Sequence, residues 1–194
     1  MSNKIKNISK KILSKAWATL YEIDYDYRFR DGHWKRISRE SYNRGNGTAI
    51  LLYSPEKRTV ILTKQFRMPA YENETADGMS IEACAGAIDK NESPKSTIIR
   101  EVEEEVGYRI KSARQVLQAY TSPGALTEKM YLFVAEYSDD MKVNEGGGVA
   151  NENEEIEVLE LPFLKTLKMM ETGEIQDAKT IMLLQYALIH KLVL

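Results

Sequence analysis

The sequence contains very little cysteine and histidine, which limits the chemistry available to it. Cys84 is the only cysteine among 194 residues, so an internal disulfide is excluded and a reducing compartment is favoured. Its apolar neighbours Ala83 and Ala85 predict a buried, inert thiol. The two histidines, His33 and His190, are isolated, and we assign neither a catalytic role. Neither zinc chemistry nor cysteine chemistry is therefore expected.

The sequence also lacks a strong charge imbalance and a long apolar run. Its formal net charge is -2, so it has no general attraction to nucleic acid or to an anionic membrane. Residues 1–17 contain lysines but no continuous apolar core, so they do not resemble a signal peptide. The apolar run at 181–194 is interrupted by polar residues and is too short to cross a bilayer. We therefore expect a cytoplasmic protein whose partners include neither nucleic acid nor a membrane.

The length and the 43% hydrophobic content are sufficient for one substantial domain with a small appendage. Between Trp17 and Tyr42, apolar residues alternate on either side of Asp31-Gly32, a dipeptide typical of tight hairpin turns. We predict a two-stranded β-hairpin here and a subdomain boundary that separates residues 1–43 from 44–194. Because an isolated hairpin is marginally stable, its aromatic side needs another surface, either the main domain or a second copy.

The remainder of the chain contains both strand and helix patterns. Strands are predicted at 49–53, 59–63, 80–85, 116–120 and 130–137, and polar loops at 71–78 and 142–155. Helices are predicted at 94–106, 162–172 and 177–194. This order indicates the α/β class, with a mixed sheet covered by helices on both faces, an α/β/α sandwich preceded by the β-hairpin subdomain.

The predicted helix at 94–106 carries the most specific chemistry. Ser93-Pro94 is typical of a helix start, and Gly107 of a helix end. At about 100° per residue, the carboxylates form one arc of the helix beside an apolar arc. The apolar arc contains Ile98, Ile99, Val102 and Val106, and the acidic arc contains Glu101, Glu104 and Glu105. One face of this helix is therefore predicted to pack in the core and the adjacent face to carry negative charge.

The acidic arc has two interpretations. Like charges three or four residues apart destabilise a helix by a few tenths of a kcal/mol, unless a positive charge lies among them. Converging carboxylates suit a hard divalent cation with oxygen ligands, Mg²⁺ or Mn²⁺. The alternative is an ordinary solvated acidic face, which would be preferred if the glutamates stood alone.

The glutamates belong to a longer pattern that begins at Gly86. The spacing is G-x5-E-x7-R-E-V-x-E-E-x-G, and it ends at Gly107. This pattern resembles the signature of the Nudix hydrolases, with one departure at Tyr108, where the family has an aliphatic residue. The tyrosine ring can still cover apolar surface. The resemblance implies the Nudix fold and hydrolysis of a nucleoside diphosphate linked to another group.

The resemblance also implies a metal site that holds Mg²⁺, with Mn²⁺ as a possible substitute. Glu101 and Glu105 would be the principal catalytic ligands, Glu104 an auxiliary ligand, and the backbone carbonyl of Ala85 a further ligand. Two other signature residues, Glu92 and Arg100, would orient these ligands through ion pairs.

A base or water-orienting group comes from a late flexible loop in the branch of the family that acts on ADP-sugars and GDP-sugars. Here that loop is the glycine-rich stretch at 142–155, and Glu154 matches best as catalytic residue and metal ligand. Glu152 and Glu155 are alternatives. A solvated acidic loop with no catalytic part is the other interpretation of such a polar stretch.

Similarity over almost the whole chain favours one branch of the family, the bacterial GDP-mannose pyrophosphatases. The similar segments are RESYNRGNG, KQFRMPAY, AYTSPG, FVAEYSDD, NEGGGV, EVLELPF and TGEIQDAKT. They imply hydrolysis of GDP-mannose to GMP and mannose 1-phosphate by a homodimer with exchanged N-terminal regions. Pro123, however, is shared with ADP-ribose pyrophosphatases, so ADP-ribose hydrolysis is an alternative. A non-catalytic Nudix-fold ligand sensor is less favoured because such proteins commonly carry a degraded signature.

Several substrate contacts are implied by the same resemblance. Trp17 would stack on the guanine of the substrate bound to the partner subunit. The other contacts are Ser38, Arg39, Glu40, Arg67, Ala85, Gly86, Ala87, Glu128, Asn153, Glu154 and Lys179. Arg39, Arg67 and Lys179 also have an independent chemical basis, because a diphosphate needs cationic donors. For each of these positions the alternative is an ordinary surface ion pair.

Overall fold

The computed structural model describes residues 4–73, 77–148 and 155–193, and the chain forms two compact units. The first unit comprises Met1–Asn46 with Tyr120–Lys129, and the second comprises Gly47–Ala119 with Met130–Leu194. The later segment joins the first unit through Tyr42, whose backbone N–H donates to the carbonyl of Ala125 at 2.9 Å. In return, the N–H of Thr127 donates to the carbonyl of Tyr42 at 3.1 Å.

The first unit contains an antiparallel sheet of three strands in the order β1-β2-β3. The strands are β1 Ile5–Lys15, β2 Thr19–Arg28 and β3 Trp34–Asn43. The predicted hairpin is confirmed, since β2 pairs with β3 from Thr19↔Asn43 to Arg28↔Trp34 around the Asp31-Gly32 turn. β1 was not predicted, and Asn7 explains why. Its φ of 52° and two register shifts interrupt the alternation by which a strand is recognised in sequence.

The second unit contains a seven-stranded mixed sheet with the central order β10-β5-β4-β9-β8. β6 pairs with β5, and β7 pairs with β4. β4 and β9 are parallel, while the other pairs are antiparallel. The strands are β4 Gly47–Ser54, β5 Thr59–Phe66, β6 Met79–Glu82, β7 Cys84–Ala87, β8 Arg114–Ala119, β9 Met130–Glu136 and β10 Ile156–Pro162. The predicted strand at 80–85 is thus two short strands, each pairing with a different neighbour.

Among the described residues, four α-helices accompany the sheet, namely α1 Met68–Glu72, α2 Pro94–Val106, α3 Phe163–Thr172 and α4 Ala178–Ile189. α2 has the bounds that the sequence predicts, because its first turn is capped and its last turn ends at a glycine. α4 is shorter than predicted and ends before Lys191, whose φ is 53°. No described helix has the length and apolar character that membrane crossing requires.

The central strand β4 is buried along its whole length and shows how the layers are arranged. Ala49, Leu51 and Tyr53 belong to a core cluster with residues of α3 and α4. Ile50 and Leu52 belong to a second cluster with the apolar arc of α2, which includes Ile98, Val102 and Val106. Fully burying one such aliphatic side chain stabilises the fold by about 1.5–3 kcal/mol. The α/β/α sandwich is confirmed, with α2 on one face of the sheet and α3 and α4 on the other.

Candidate active site

α2 is held at both of its ends by local hydrogen bonds. At the start, Oγ of Ser93 accepts from the N–H of Ser96 at 3.1 Å, and Oγ of Ser96 accepts from the N–H of Ser93 at 2.9 Å. This reciprocal capping satisfies two donors at the helix start. At the end, Gly107 adopts a left-handed φ of 77° and its N–H donates to Val102. The acidic arc therefore has a fixed position along the helix.

Strand β7 lies directly against the acidic arc. The N–H of Ala85 donates to Oε2 of Glu105 at 3.1 Å, and the Glu105 side chain is buried. A side chain on Gly86 would place its Cβ 2.1 Å from Oε1 of Glu101. The glycine at the start of the signature is therefore needed because the Glu101 carboxylate occupies the space beside its α-carbon. Ala87, predicted as a backbone contact, lies exposed at the end of this strand.

Arg100 places a positive charge among the signature carboxylates. Its guanidinium lies 2.9 Å from Glu101, 3.3 Å from Glu92 and 2.5 Å from Glu104. Partial burial alone would lower the pKa of Arg100, but the hydrogen bonds and negative charges of these glutamates raise it. The ion pairs expected of Glu92 and Arg100 are present, and they offset the repulsion along the acidic arc. Glu103, on another side of the helix, pairs instead with Arg109.

The donor set around Gly86 fits a hard divalent cation. Oxygen is the only donor that Glu101, Glu104, Glu105 and the carbonyl of Ala85 offer. In an extended strand the N–H and C=O of a residue point to the same side, so the carbonyl of Ala85 also faces α2. In the described ranges, no three acidic, histidine or cysteine side chains are grouped to hold a metal ion. Glu101 and Glu104 instead share Arg100 as a hydrogen-bond donor.

A second charged cluster joins three elements of the same unit. Glu82, at the end of β6, is 4% exposed and accepts from Nε and Nη2 of Arg67 at 2.9 Å and 3.0 Å. Nζ of Lys179, in the first turn of α4, donates to Glu82 and to Asp177 at 2.7 Å each. The structure thus brings together Arg67 and Lys179, two predicted substrate-binding cations. The sequence signal for Glu82, an acidic residue in an otherwise apolar strand, was missed.

The charges of this cluster are strongly coupled. Burial alone would raise the pKa of Glu82, but the hydrogen bond and charge of Arg67 and the charge of Lys179 lower it from 4.5 to about 2. Burial likewise works to lower the pKa of Arg67, yet Glu82 raises it, with smaller contributions from Glu105 and Asp177. The charge of Glu105, on α2, therefore acts on the pKa of Arg67 as well.

The predicted contacts of the first unit lie on its strands and on the later segment. Trp17 is 78% exposed, and the guanidinium of Arg44 lies 5.3 Å from its ring centroid. Nε of Arg44 also lies 3.0 Å from the buried carboxylate of Glu128. Arg44, which sequence reasoning missed, therefore connects two predicted substrate contacts. Three further predicted contacts, Ser38, Arg39 and Glu40, are exposed on β3.

The glycine-rich loop is hydrogen-bonded to the C-terminal end of α2. Gly147 donates to the carbonyl of Glu105 at 2.9 Å, and Gly148 donates to that of Glu104 at 3.2 Å. These bonds satisfy carbonyls that a helix end otherwise leaves without a partner. Glu155 is exposed just before β10, and its role stays a prediction. Three other predicted residues of this loop, Glu152, Asn153 and Glu154, lie outside the described residues.

Comparison with known proteins agrees with the fold and the signature. The family model for the NUDIX domain matches residues 43–184. The chain therefore belongs to the Nudix hydrolase family. Residues 4–42 match a second model, described as the N-terminal domain of the GDP-mannose pyrophosphatase NudK.

Three relatives carry the name GDP-mannose pyrophosphatase. The protein of that name from Cronobacter sakazakii is 50% identical over 96% of this chain and 96% of its own. The one from Yersinia pestis is 50% identical over 98% of this chain and 94% of its own. The one from Escherichia coli is 48% identical over 96% of each chain. A crystal structure described as an ADP compounds hydrolase covers 94% of this chain with a TM-score of 0.66 and 19% identity, and it supports the fold alone.

Proposed function

We propose that the protein hydrolyses the pyrophosphate bond of GDP-mannose, with water, to give GMP and mannose 1-phosphate. The observation that carries this proposal is the 50% identity to GDP-mannose pyrophosphatases over nearly the whole chain. The identity extends through the N-terminal unit, which has its own match at residues 4–42. The site supplies the groups that this chemistry needs, a carboxylate arc for a cation and basic side chains for a diphosphate.

The cation proposed is Mg²⁺, with Mn²⁺ as a substitute, held by Glu101, Glu104, Glu105 and the carbonyl of Ala85. When bound, such a cation neutralises the diphosphate and makes water easier to deprotonate. Of the chain's own groups, Arg100 aligns the carboxylates, while Arg67 and Lys179 would donate to the phosphate oxygens. The catalytic water would be oriented by Glu154, or by Glu152 or Glu155.

The substrate proposal is tested by comparing kcat/KM for GDP-mannose and ADP-ribose in the presence of Mg²⁺. ADP-ribose is the second candidate because of Pro123 in the TSPG segment. We expect a preference for GDP-mannose, and a preference for ADP-ribose would overturn the assignment. The Glu101→Gln variant is expected to lose activity in both assays. Glu103→Gln is its control, because Glu103 lies on the same helix but pairs with Arg109. Turnover that survived Glu101→Gln would favour a non-catalytic role for the signature.

The choice among the loop glutamates is tested with three single variants, Glu152→Gln, Glu154→Gln and Glu155→Gln. We expect Glu154→Gln alone to lower kcat by about 100-fold, in the range that general acid–base groups contribute. A loss confined to Glu152→Gln or Glu155→Gln would move the assignment to that residue. Equal activity in all three variants would support a solvated loop without a catalytic part.

A homodimer is proposed as the form that acts, with Trp17 of one subunit stacking on guanine bound by the other. The support is that every residue of β1 is exposed, its large apolar side chains included. These side chains are Ile5, Ile8, Ile12 and Leu13. A second copy of the chain would remove them from water.

The compartment proposed is the cytoplasm. The support is that the single cysteine, Cys84, is buried in the core at 2% exposure, as the sequence predicted. A protein without disulfides is suited to a reducing compartment. Fractionation of cells with an antibody against the protein tests this, and recovery outside the cytoplasmic fraction would contradict it.

A further inference from the structure

We propose that Glu82 is a positioning residue whose buried carboxylate holds Arg67 and Lys179 side by side, so that the two cations bind the diphosphate of the substrate as one unit. The inference rests on the proposed function because it takes a diphosphate as the ligand. Glu82 does not touch the substrate in this arrangement. It acts through the two cations.

The first argument is the geometry of the contacts. Arg67 precedes α1 and Lys179 lies in α4, and both reach the same carboxylate between them. Nε and Nη2 of Arg67 donate to the two carboxylate oxygens of Glu82, which fixes the plane of the guanidinium as well as its position. Without such a partner, two long side chains would each sample many rotamers. One carboxylate thus orders both cations.

The second argument concerns the backbone beneath the cluster. The N–H of Ala83, next to Glu82, donates to Oγ1 of Thr180 at 2.7 Å, and Thr180 is buried. Asp177 caps α4 by accepting from the N–H of Thr180 at 2.9 Å. The helix turn that carries Lys179 is therefore anchored to the strand that carries Glu82. This anchoring holds Lys179 in place relative to Glu82 through the backbone.

The third argument is the remaining donor capacity. Glu82 takes one hydrogen bond each from Nε and Nη2 of Arg67, which has five N–H groups in all. Glu82 and Asp177 take two bonds from Lys179, whose ammonium has three donors. The Arg67 side chain is 43% exposed, so its outer edge can meet an anion. Glu82 lies only three residues before Ala85, whose N–H donates to Glu105 of α2.

A purely structural ion pair is the competing explanation. A buried ion pair contributes little net stability compared with apolar residues of similar volume, so stability alone is a weak reason to place a charge here. The two explanations differ in what they predict for substrate binding. A structural pair affects folding, whereas a positioning residue affects KM through Arg67 and Lys179 specifically.

The test uses the full-length protein and the Glu82→Gln variant, which keeps the size of the side chain and removes its charge. We expect KM for GDP-mannose to rise about tenfold or more, while kcat changes less than about threefold, because the loss is one of binding. Glu82→Asp, which keeps the charge on a shorter side chain, should recover part of the loss. Mn²⁺ affinity should stay unchanged, since the α2 carboxylates are untouched. An unchanged KM in Glu82→Gln would overturn the proposal.

A double-mutant cycle separates positioning from folding. In a protein that already carries both Arg67→Ala and Lys179→Ala, adding Glu82→Gln should cause little further loss of kcat/KM. The two cations that Glu82 positions are absent from that protein. An undiminished further loss would overturn the proposal. If Glu82→Gln fails to fold, Glu82→Asp takes its place, because it keeps the charge and draws the carboxylate back from both cations. That variant should still raise KM, and an unchanged KM would be contrary evidence.

Binding of inorganic pyrophosphate in EDTA, measured by calorimetry, distinguishes this inference from the proposed function. The wild type should bind pyrophosphate at least about tenfold more tightly than Glu82→Gln. If the wild type binds pyrophosphate but does not hydrolyse GDP-mannose, the substrate assignment fails and Glu82 is still judged by this affinity ratio. Equal pyrophosphate affinities would overturn the role of Glu82, whatever the substrate.

Discussion

At the scale of the residue, Gly86 contributes to the site through the side chain it lacks. Its α-carbon faces the carboxylate of Glu101, and an added Cβ would lie 2.1 Å from Oε1. The glycine is required here by the close approach of the Glu101 carboxylate, since its φ is not in the left-handed region. The glycine that opens the signature, six residues before Glu92, thus has a direct physical reason.

The Gly86→Ala variant should lose activity while remaining folded. The added methyl group would displace the end of the Glu101 side chain, which can rotate, so the fold should lose less than about 1 kcal/mol. Displacing a catalytic group by about 1 Å can reduce the rate about 100-fold. We therefore expect kcat to fall about 100-fold, measured with saturating substrate and Mg²⁺.

Gly124→Ala is the matched control for that variant, because no atom lies within 4 Å of the Cβ that it would add. Its kcat should equal that of the wild type. Full activity in Gly86→Ala would show that Glu101 tolerates displacement and is not a principal metal ligand.

Glu82 makes a second prediction at this scale, for stability as a function of pH. Its pKa is lowered from 4.5 to about 2 in the folded protein, so its charge contributes stability above pH 4.5 that is lost as the pH falls toward 2. A pKa shift of this size means that ionising Glu82 adds on the order of 3 kcal/mol to the free energy of unfolding, compared with the protonated carboxyl. The difference in unfolding free energy between wild type and Glu82→Gln should be constant from pH 5 to 7 and shrink below pH 4.5.

Urea unfolding at a series of pH values measures this difference. A difference that stays the same down to pH 3 would show that the Glu82 charge is not what stabilises the cluster. Glu103→Gln is the control, because Glu103 pairs with Arg109 at the surface and such pairs contribute little to stability.

At the scale of the element, α2 and the glycine-rich loop behave as one structural feature. Gly146 lies so close to the helix end that an added Cβ would be 2.4 Å from the carbonyl oxygen of Glu105. Gly147 and Gly148 then donate to the carbonyls of Glu105 and Glu104. The loop that contains the proposed base therefore starts from the same helix turn that carries the proposed metal ligands.

The Gly146→Ala variant should weaken both the fold and the proposed metal site. Gly146 has a φ of 70°, and its new Cβ would collide with the backbone of Glu105 and Val106, which cannot rotate away. We expect a loss of unfolding free energy greater than the roughly 1–2 kcal/mol that a left-handed alanine costs. We also expect weaker Mn²⁺ binding, because the last turn of α2 must shift. Urea unfolding and Mn²⁺ titration measure the two effects.

Gly45→Ala is the control for this variant. Gly45 has a comparable φ of 86° and open space around its α-carbon, so it shows the cost of backbone strain alone. If the two variants lose equal stability and both keep normal Mn²⁺ affinity, the contact between loop and helix does not support the site.

At the scale of the whole molecule, the two units differ sharply in how they bury apolar residues. Every residue of β4 in the second unit is buried, whereas every residue of β1 in the first unit is exposed. A sheet of three strands needs an apolar face packed against something to be independently stable. The proposed homodimer would provide that surface.

The dimer proposal is tested by measuring mass in solution for wild type and Ile8→Asp. We expect the wild type at micromolar concentration to have twice the chain mass of 22.2 kDa. Ile8 is 66% exposed on β1, and a charge there should shift the protein toward the monomer because it cannot be buried without a partner. Leu164→Asp is a matched control, since Leu164 is 67% exposed but lies on α3. A monomeric wild type would remove the proposal and with it the contact of Trp17 with the partner's substrate.

The helix that carries the carboxylates could be predicted because its signals are local. The bounds of α2, the capping at Ser93 and Gly107, and the burial of Ile98 and Val102 all follow from residues within one or two helix turns. β1 was missed because its bulges interrupt the period of two, and α1 because it is a single turn of helix. The hairpin and the mixed sheet were predicted from turn residues and apolar runs.

The sequence by itself determined the family, the α/β/α sandwich and the helix that carries the carboxylates, since each depends on spacing between near neighbours. Only the tertiary structure decided that Glu82 joins Arg67 to Lys179. Glu82 and Lys179 are 97 residues apart along the chain. It also decided that Arg44 lies between Trp17 and Glu128. The physical reason is that charge pairing is set by distance in space, and distant parts of the chain meet only when strands and helices pack.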